Sequence, residues 1–424
     1  MFNQIRSWAR ALWNGMGFIP GLIAFASFGV AVILSGIAGY NPVTLRMKSA
    51  FDPDAAAAVL TALAGGSITV AALVLSVTMV VLSSASAQFG PRLLPNFIRK
   101  NGTKVAMGGF VGSFVYQIVV ASALGLGGRV PDVAVWVGIG GSLAAFAILL
   151  AFVHMVARFI QVPFIIDEVT SDLRKALAKR IEAGEGGGRR FKEIDREWKP
   201  IAEVRAKRDG YIEMIDIHRL RQRAESADLM VRCEVRAGSF VPENGLLAVV
   251  MGEKVQDDPG DWNVAFVLSP NRTAVQDVEF AVRQLVEVAA RALSPGINDP
   301  YTAINAIERL GGALSEVAGR HLPDGLWHDE DGRLRLVVPL PDVAGILDAA
   351  YHPLRQHARH MDAVAIALID SYLSIASLPT HPDFKVGLRR HADLLRDDFQ
   401  RLCEQPADFA EFDTRHAKLI ERLG

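Results

Sequence analysis

The residues best suited to chemistry lie in Tyr351-His352-Pro-Leu-Arg-Gln-His357-Ala-Arg-His360-Met-Asp362. On one continuous helix His357 and His360 share a face, and a His-x-x-His pair can hold a metal. Arg355 and Arg359 are interleaved with them. Like charge repels a divalent cation, so the segment reads as a solvated helix face and no metal is expected. Nucleophilic catalysis needs a Ser or Cys beside a base. Ser294 stands at a helix break with Pro295 and Gly296, but no Gly-x-Ser-x-Gly elbow or partner His accompanies it. Asn298, Asp299 and Pro300 have a structural use, with Asp299 as a helix N-cap and Pro300 in the first helical position. The glycine run at 184–188 lacks the Lys-Ser/Thr ending of a P-loop and follows no strand, so it reads as a flexible linker. Cys233 and Cys403 are the only thiols. That excludes a secreted disulfide scaffold, and Cys233 falls in a strand pattern as a core residue. No constellation points to an enzyme, and no cofactor is expected.

The elements that carry these residues divide between two environments. The chain has 424 residues, half of them hydrophobic, and that length predicts two or three domains. Residues 1–160 carry a net charge of +7, with Asp52, Asp54 and Asp132 as their only acids, while residues 161–424 carry −8. Four stretches, about 18–38, 55–87, 105–126 and 130–156, are long and apolar enough to cross some 30 Å of hydrocarbon. The second exceeds that need and should tilt or project. Gly127, Gly128 and Pro131 make the last two a hairpin. The rival reading of the first segment is a cleaved signal peptide, but its apolar run is too long and lacks an Ala-x-Ala site. Arg6 and Arg10, then Arg92, Arg99, Lys100 and Lys104, then Arg158, Arg174, Lys175 and Lys179 mark one side. By the positive-inside bias both termini and the 88–104 loop are cytoplasmic. Trp8, Trp13 and Trp136 lie where interfacial anchors belong. No long basic run with interleaved aromatics appears, so nucleic acid is not expected as a partner.

The second span carries a pattern of its own. Ala62, Gly65, Thr69, Ala72, Ser76, Met79 and Ser83 form a nearly continuous stripe of small and hydroxyl-bearing residues, flanked by Leu73, Leu75 and Val77. Such a stripe lets helices approach closely, and it can also line a water-filled path; both readings stay open. Gly108-x-x-x-Gly112 in the third span is a close-packing motif. Polar residues at depth are few (Tyr116, Gln117 and His154), and no Asp, Glu or Lys falls inside a span, which weighs against proton-coupled carriers.

Residues 161–200 read as a charged helix and linker. From 201 to 270 the period changes to two, giving strands at Ala202-Glu-Val-Arg-Ala, Tyr211-Ile-Glu-Met-Ile-Asp, Leu229-Met-Val-Arg-Cys-Glu-Val and Gly245-Leu-Leu-Ala-Val-Val, with a short helix through Leu220 and Ala224. This small β domain looks like a biotinyl/lipoyl-type barrel sandwich without a tip lysine. Residues 271–424 read as a helical domain, with helices over 276–293, 301–317, 343–372, 382–403 and 408–423, and a strand over 333–339. The fold class is therefore a four-span α-helical membrane domain followed by a cytoplasmic α+β region.

Ala87-Gln-Phe-Gly-Pro-Arg-Leu-Leu, Gly210-Tyr-Ile with Ile215-Asp, and Arg291-Ala-Leu-Ser-Pro-Gly-Ile-Asn-Asp-Pro-Tyr-Thr-Ala resemble a bacterial family of predicted integral membrane proteins, a domain of unknown function numbered 2254. The resemblance covers nearly the whole chain and implies four spans plus a cytoplasmic region, and the expected location is the bacterial inner membrane. It implies no activity. The expectation is a homo-oligomeric channel or channel-like transporter whose second span lines a path for small ions. Ser86, Phe89, Arg92, Phe97, Arg99 and Lys100 would form its mouth and constriction, biased toward anions. The competing expectation is a membrane-anchored scaffold or sensor that binds a cytosolic partner.

Overall fold

The computed structural model describes residues 15, 17–35, 52–90, 101–125, 132–159, 161–182, 198–253 and 262–424. The chain divides into two compact units, residues 1–161 and 162–424.

The N-terminal unit holds α1 (Phe18–Ser35), α2 (Pro53–Phe89), α3 (Asn101–Gly125) and α4 (Asp132–Phe159). All four are long and apolar enough to span a membrane. Asp52 caps α2 by accepting a hydrogen bond from the Ala55 amide at 3.2 Å, with Pro53 at the first position. The 37 residues of α2 extend roughly 55 Å, well beyond a hydrocarbon core. The central helix is α3: 44% of its span is buried, against 17–22% in the other three. It packs on α1, α2 and α4. Glycine makes the α1 approach possible, because a Cβ on Gly108 would lie 3.1 Å from the Pro20 Cα and one on Gly112 2.7 Å from Ser27 Oγ. Two apolar clusters join α2, α3 and α4, one around Leu60, Tyr116, Val120 and Val135, the other around Val74, Phe110, Ala145 and Phe152. Leu22, Phe25, Leu143 and Phe146 stay exposed, as a lipid-facing surface requires.

α3 starts four residues earlier than hydropathy predicts, which brings Lys104 into the helix, 2% exposed. The expectation that no lysine is buried in a span is corrected accordingly. A helix continues through a charged residue wherever its backbone bonds continue, so the apolar run marks the hydrocarbon-compatible part and not the helix end.

The C-terminal unit begins with α5 (Val162–Glu182). It continues through β1 (Pro200–Arg205), β2 (Gly210–Ile215), α6 (Ile217–Ser226), β3 (Met230–Cys233), β4 (Phe240–Val241) and β5 (Leu246–Met251). A 3-10 turn, Trp262–Ala265, leads into β6 (Phe266–Ser269). Then follow α7 (Val278–Ala292), α8 (Pro300–Ser315), β7 (Leu326–His328), β8 (Leu334–Val337), α9 (Val343–His357), α10 (Asp362–Ala376), α11 (Pro382–Leu402) and α12 (Pro406–Leu423). The strands form a five-stranded sheet, β1-β5-β3-β8-β7, and a three-stranded sheet, β4-β2-β6. All pairings are antiparallel except β3 with β8, where Val231 faces Leu336 and Arg232 faces Val337. The barrel-sandwich expectation is not confirmed. The larger sheet recruits the β7–β8 hairpin from within the helical stretch, and its core unites Val231, Cys233 and Leu247 with Trp327 and Leu336.

Aspartates start four of the helices in the C-terminal unit. Asp216, Asp277, Asp299 and Asp342 each accept a bond from the amide three residues on, a cap worth about 1 kcal/mol. The helix expected over 343–372 is two helices. His360 adopts φ +65° and the Met361 amide bonds the Ala358 carbonyl. That turn is built without Gly or Pro, and the apolar pattern runs on through it, which hid the break from sequence reading.

Candidate functional site

The expected pore residues share one feature. Ala62, Gly65, Thr69, Ala72, Ser76, Met79 and Ser83 are all exposed, and Ser86 is half-buried. The residues α2 buries in its own unit are Ala56, Leu60, Ala64, Ser67, Ala71, Val74, Thr78 and Ala85. At about 100° per residue the two sets lie on opposite sides of the helix. The small stripe is therefore not the seam that holds the four spans together. Thr69 turns its hydroxyl onto the Gly65 carbonyl at 2.8 Å, whereas Ser76 and Ser83 have no hydrogen-bond partner among the described residues. A Cβ built on Gly65 meets nothing within 4 Å. Phe89 ends α2, and Arg92, Phe97, Arg99 and Lys100 lie outside the described residues, as do Trp8, Trp13 and the 184–188 glycines.

Polar groups inside the bundle converge elsewhere, on Gln117, which is fully buried. Its Nε2 donates to Ser113 Oγ at 3.0 Å, Ser142 Oγ at 2.5 Å and the Gly138 carbonyl at 3.2 Å. Its Oε1 accepts from Ser67 Oγ at 3.4 Å. Tyr116 donates to the Ala134 carbonyl at 2.8 Å. These bonds tie α2, α3 and α4 together between the two apolar clusters. With both polar atoms of Gln117 bonded across three helices, the cluster acts as interhelical glue.

The Ser294–Pro300 motif forms a tight turn between α7 and α8. Ser294 Oγ donates to the Arg291 carbonyl at 2.6 Å, and the amides of Ile297 and Asn298 return to the Ser294 carbonyl at 3.0 and 2.9 Å. Asn298 takes φ +50°, a conformation Asn tolerates. Asp299 accepts from the Thr302 hydroxyl at 2.6 Å and the Thr302 amide at 3.1 Å, and these hold its carboxyl below the usual range. Pro295 and Gly296 are exposed at the tip. Ile297 and Tyr301 are also exposed, Tyr301 at 82%.

The histidine pairing read from sequence is corrected. α9 ends at His357 and His360 lies beyond it, so the two share no helix face. What converges is Asp348, His352 and His391, from α9 and α11. Asp348 Oδ1 lies 3.0 Å from His391 Nε2 and 3.3 Å from His352 Nε2. Among the described residues this trio and His321, His381 and Asp383 group three possible metal-binding side chains. The chemistry of the first fits a metal poorly, because Arg390 Nη2 sits 2.9 Å from Asp348 Oδ1 and 3.0 Å from His352 Nε2. His391 Nδ1 is buried without a partner, whereas a ligating histidine usually has its second nitrogen held. Burial alone would raise the Asp348 carboxyl, but Arg390 and the two histidines hold it below its ordinary value. Only pairing of α9 with α11 reveals this cluster; the Asp348–His352 spacing of four was its one trace in the sequence.

His391 is 1% exposed, and burial, then His352, push its pKa from 6.5 down to about 4, against the opposing pull of Asp348. The folded value lies below the unfolded one, so the unfolded chain binds the extra proton between them. Stability is complete above pH 6.5, falls as pH drops to about 4, and levels below that, a loss of about 3 kcal/mol at most. Denaturant titrations across this window should show the slope, and His391→Leu should flatten it. An unchanged slope in the variant would assign the effect to other groups.

A family profile described as "Predicted membrane protein (DUF2254)" matches residues 13–373. An uncharacterized protein of Mycobacterium tuberculosis and one of Mycobacterium bovis are each 26% identical to this chain over 418 residues, covering 94% of it and 80% of the relative. No solved structure matches.

Proposed function

The chain belongs to the DUF2254 family of predicted membrane proteins, and on that premise we propose that it is a homo-oligomeric channel or channel-like transporter in a bacterial inner membrane. Several copies of α2 would turn Ala62, Gly65, Thr69, Ala72, Ser76, Met79 and Ser83 toward a common axis. The observation that carries this reading is that the small, hydroxyl-bearing face of α2 lies opposite its own packing face and is exposed. Facing lipid, Ser76 and Ser83 would leave hydroxyls in hydrocarbon and an uneven surface against acyl chains. Facing other copies or water, they are satisfied. Both termini and residues 162–424 would be cytoplasmic. The basic residues 92–100 would favour anions at the mouth, and the C-terminal unit would assemble or gate the ring without itself catalysing a reaction. A second reading, a membrane-anchored scaffold, is favoured by the exposed Ile297 and Tyr301 at the family motif.

Ser83→Leu should reduce chloride flux into proteoliposomes at least tenfold while leaving thermal stability near wild type, because the position is exposed in its own unit. Normal flux in that variant would remove the stripe as a pore wall. The mass of the detergent-solubilised complex separates the two readings: a single assembly of three or more chains supports the shared axis, and a monomer moves the choice to the scaffold.

A further inference from the structure

We infer that a pocket in the C-terminal unit binds a small organic anion, a carboxylate carried on a short apolar body. The cavity measures about 250 Å³. Lys179 and Arg180 at the end of α5 line it together with Arg236, and Met214, Ile217 and Leu340 supply apolar wall.

Arg180 is the reason to assign an anion. It is 6% exposed, and its Nη2 donates to the Pro323 carbonyl at 2.6 Å and the Pro341 carbonyl at 3.2 Å. Those carbonyls orient the guanidinium but bring no negative charge. Its Nε and Nη1 are buried and have no partner among the described residues. Burying guanidinium nitrogens without a hydrogen-bond partner is costly. Burial lowers the Arg180 pKa to about 10, with Asp324 opposing the shift electrostatically, so the group stays charged at neutral pH. The neighbouring cations are not equivalent. Arg236 is matched by Glu279 at 2.9 Å, while Lys179 is exposed and has no acidic partner among the described residues. Arg180, only partly offset by Asp324, and Lys179 thus place net positive charge beside hydrocarbon walls, the complement of a short-chain carboxylate.

A purely structural role for Arg180, as a clasp on two loop carbonyls, predicts lost stability on substitution and no ligand. Binding separates the two, and it requires no pore, so its outcome is independent of the membrane reading. Radiolabelled hexanoate would be equilibrated by dialysis with the full-length protein in detergent, against detergent alone. The expected result is saturable binding at one site per chain, with acetate and hexanol each competing at least tenfold more weakly. Arg180→Gln should weaken binding tenfold or more. Because that variant also loses the carbonyl bonds, Ala237→Phe is the companion: it fills the cavity, leaves Arg180 in place, and should abolish binding with little change in Tm. Absence of saturable hexanoate binding to the wild type, hexanol binding as tightly as hexanoate, or unchanged binding in either variant would overturn the assignment.

Discussion

Arg335→Met should destabilise the C-terminal unit by about 3–5 kcal/mol. Arg335 is 3% exposed, and its Nε donates to Asp329 at 2.7 Å while its Nη2 lies 2.8 Å from Asp228. Its Nη1 reaches the Leu229 carbonyl at 3.3 Å, and the guanidinium lies over Trp198, 5.8 Å from the ring centre. The residue therefore ties β8 to the β7–β8 turn and to the residues entering β3, where the sheet takes its single parallel pairing. Burial alone would raise the Asp329 carboxyl, but the Arg333 amide and the Arg335 guanidinium hold it below its ordinary value. Removing the cation leaves that carboxylate uncompensated, which costs more than the pair itself contributes. Replacing Asp329 by Leu in the same chain should recover a substantial part of the loss. Urea unfolding followed by tryptophan fluorescence measures both, since Trp198, Trp262 and Trp327 all lie in this unit. A single-variant loss below about 1 kcal/mol would mean that solvent reaches the cluster.

Gly108→Leu and Gly65→Leu make the same change on two membrane helices and should have opposite consequences. At Gly108 even a Cβ would lie 2.6 Å from Ile23 Cδ1 and 3.1 Å from the Pro20 Cα. Part of that obstacle is backbone and cannot rotate away. A leucine there should push α1 off α3 and cost about 3 kcal/mol or more, read as a lower Tm and loss of monodisperse protein in detergent. At Gly65 nothing lies within 4 Å, so the chain should fold with leucine as well as with glycine. If copies of α2 surround a path, however, Gly65→Leu should suppress flux as strongly as Ser83→Leu does. A folded Gly65→Leu protein with normal flux would contradict the proposed path, whereas an unfolded one would show that the face is packed after all.

Much of the architecture was legible in the sequence because it depends on properties local to the chain. Four apolar runs set four spans through the transfer cost of polar backbone and side chains. Asp299 before Pro300 set a helix start, since a capping bond reaches only three residues. The period-two patches around Tyr211, Val231 and Val249 set strands. The stripe on α2 could be listed residue by residue for the same reason. Whether that stripe was the seam of the bundle was a question about neighbours, and only tertiary structure placed it opposite Leu60, Ser67 and Val74. Distance along the chain hid the rest. Nothing near Val231 announces that it will pair with Leu336, more than a hundred residues on, and nothing at His352 announces His391. The Arg180 pocket likewise joins the end of α5 to segments around residues 215, 236 and 340. Lys104 shows the limit in the other direction, because hydropathy ended the helix at a charge that the backbone bonds of α3 passed through. Local covalent and transfer chemistry fixed the elements and their caps. Long-range packing, which depends on which surfaces meet, decided what each face is free to do.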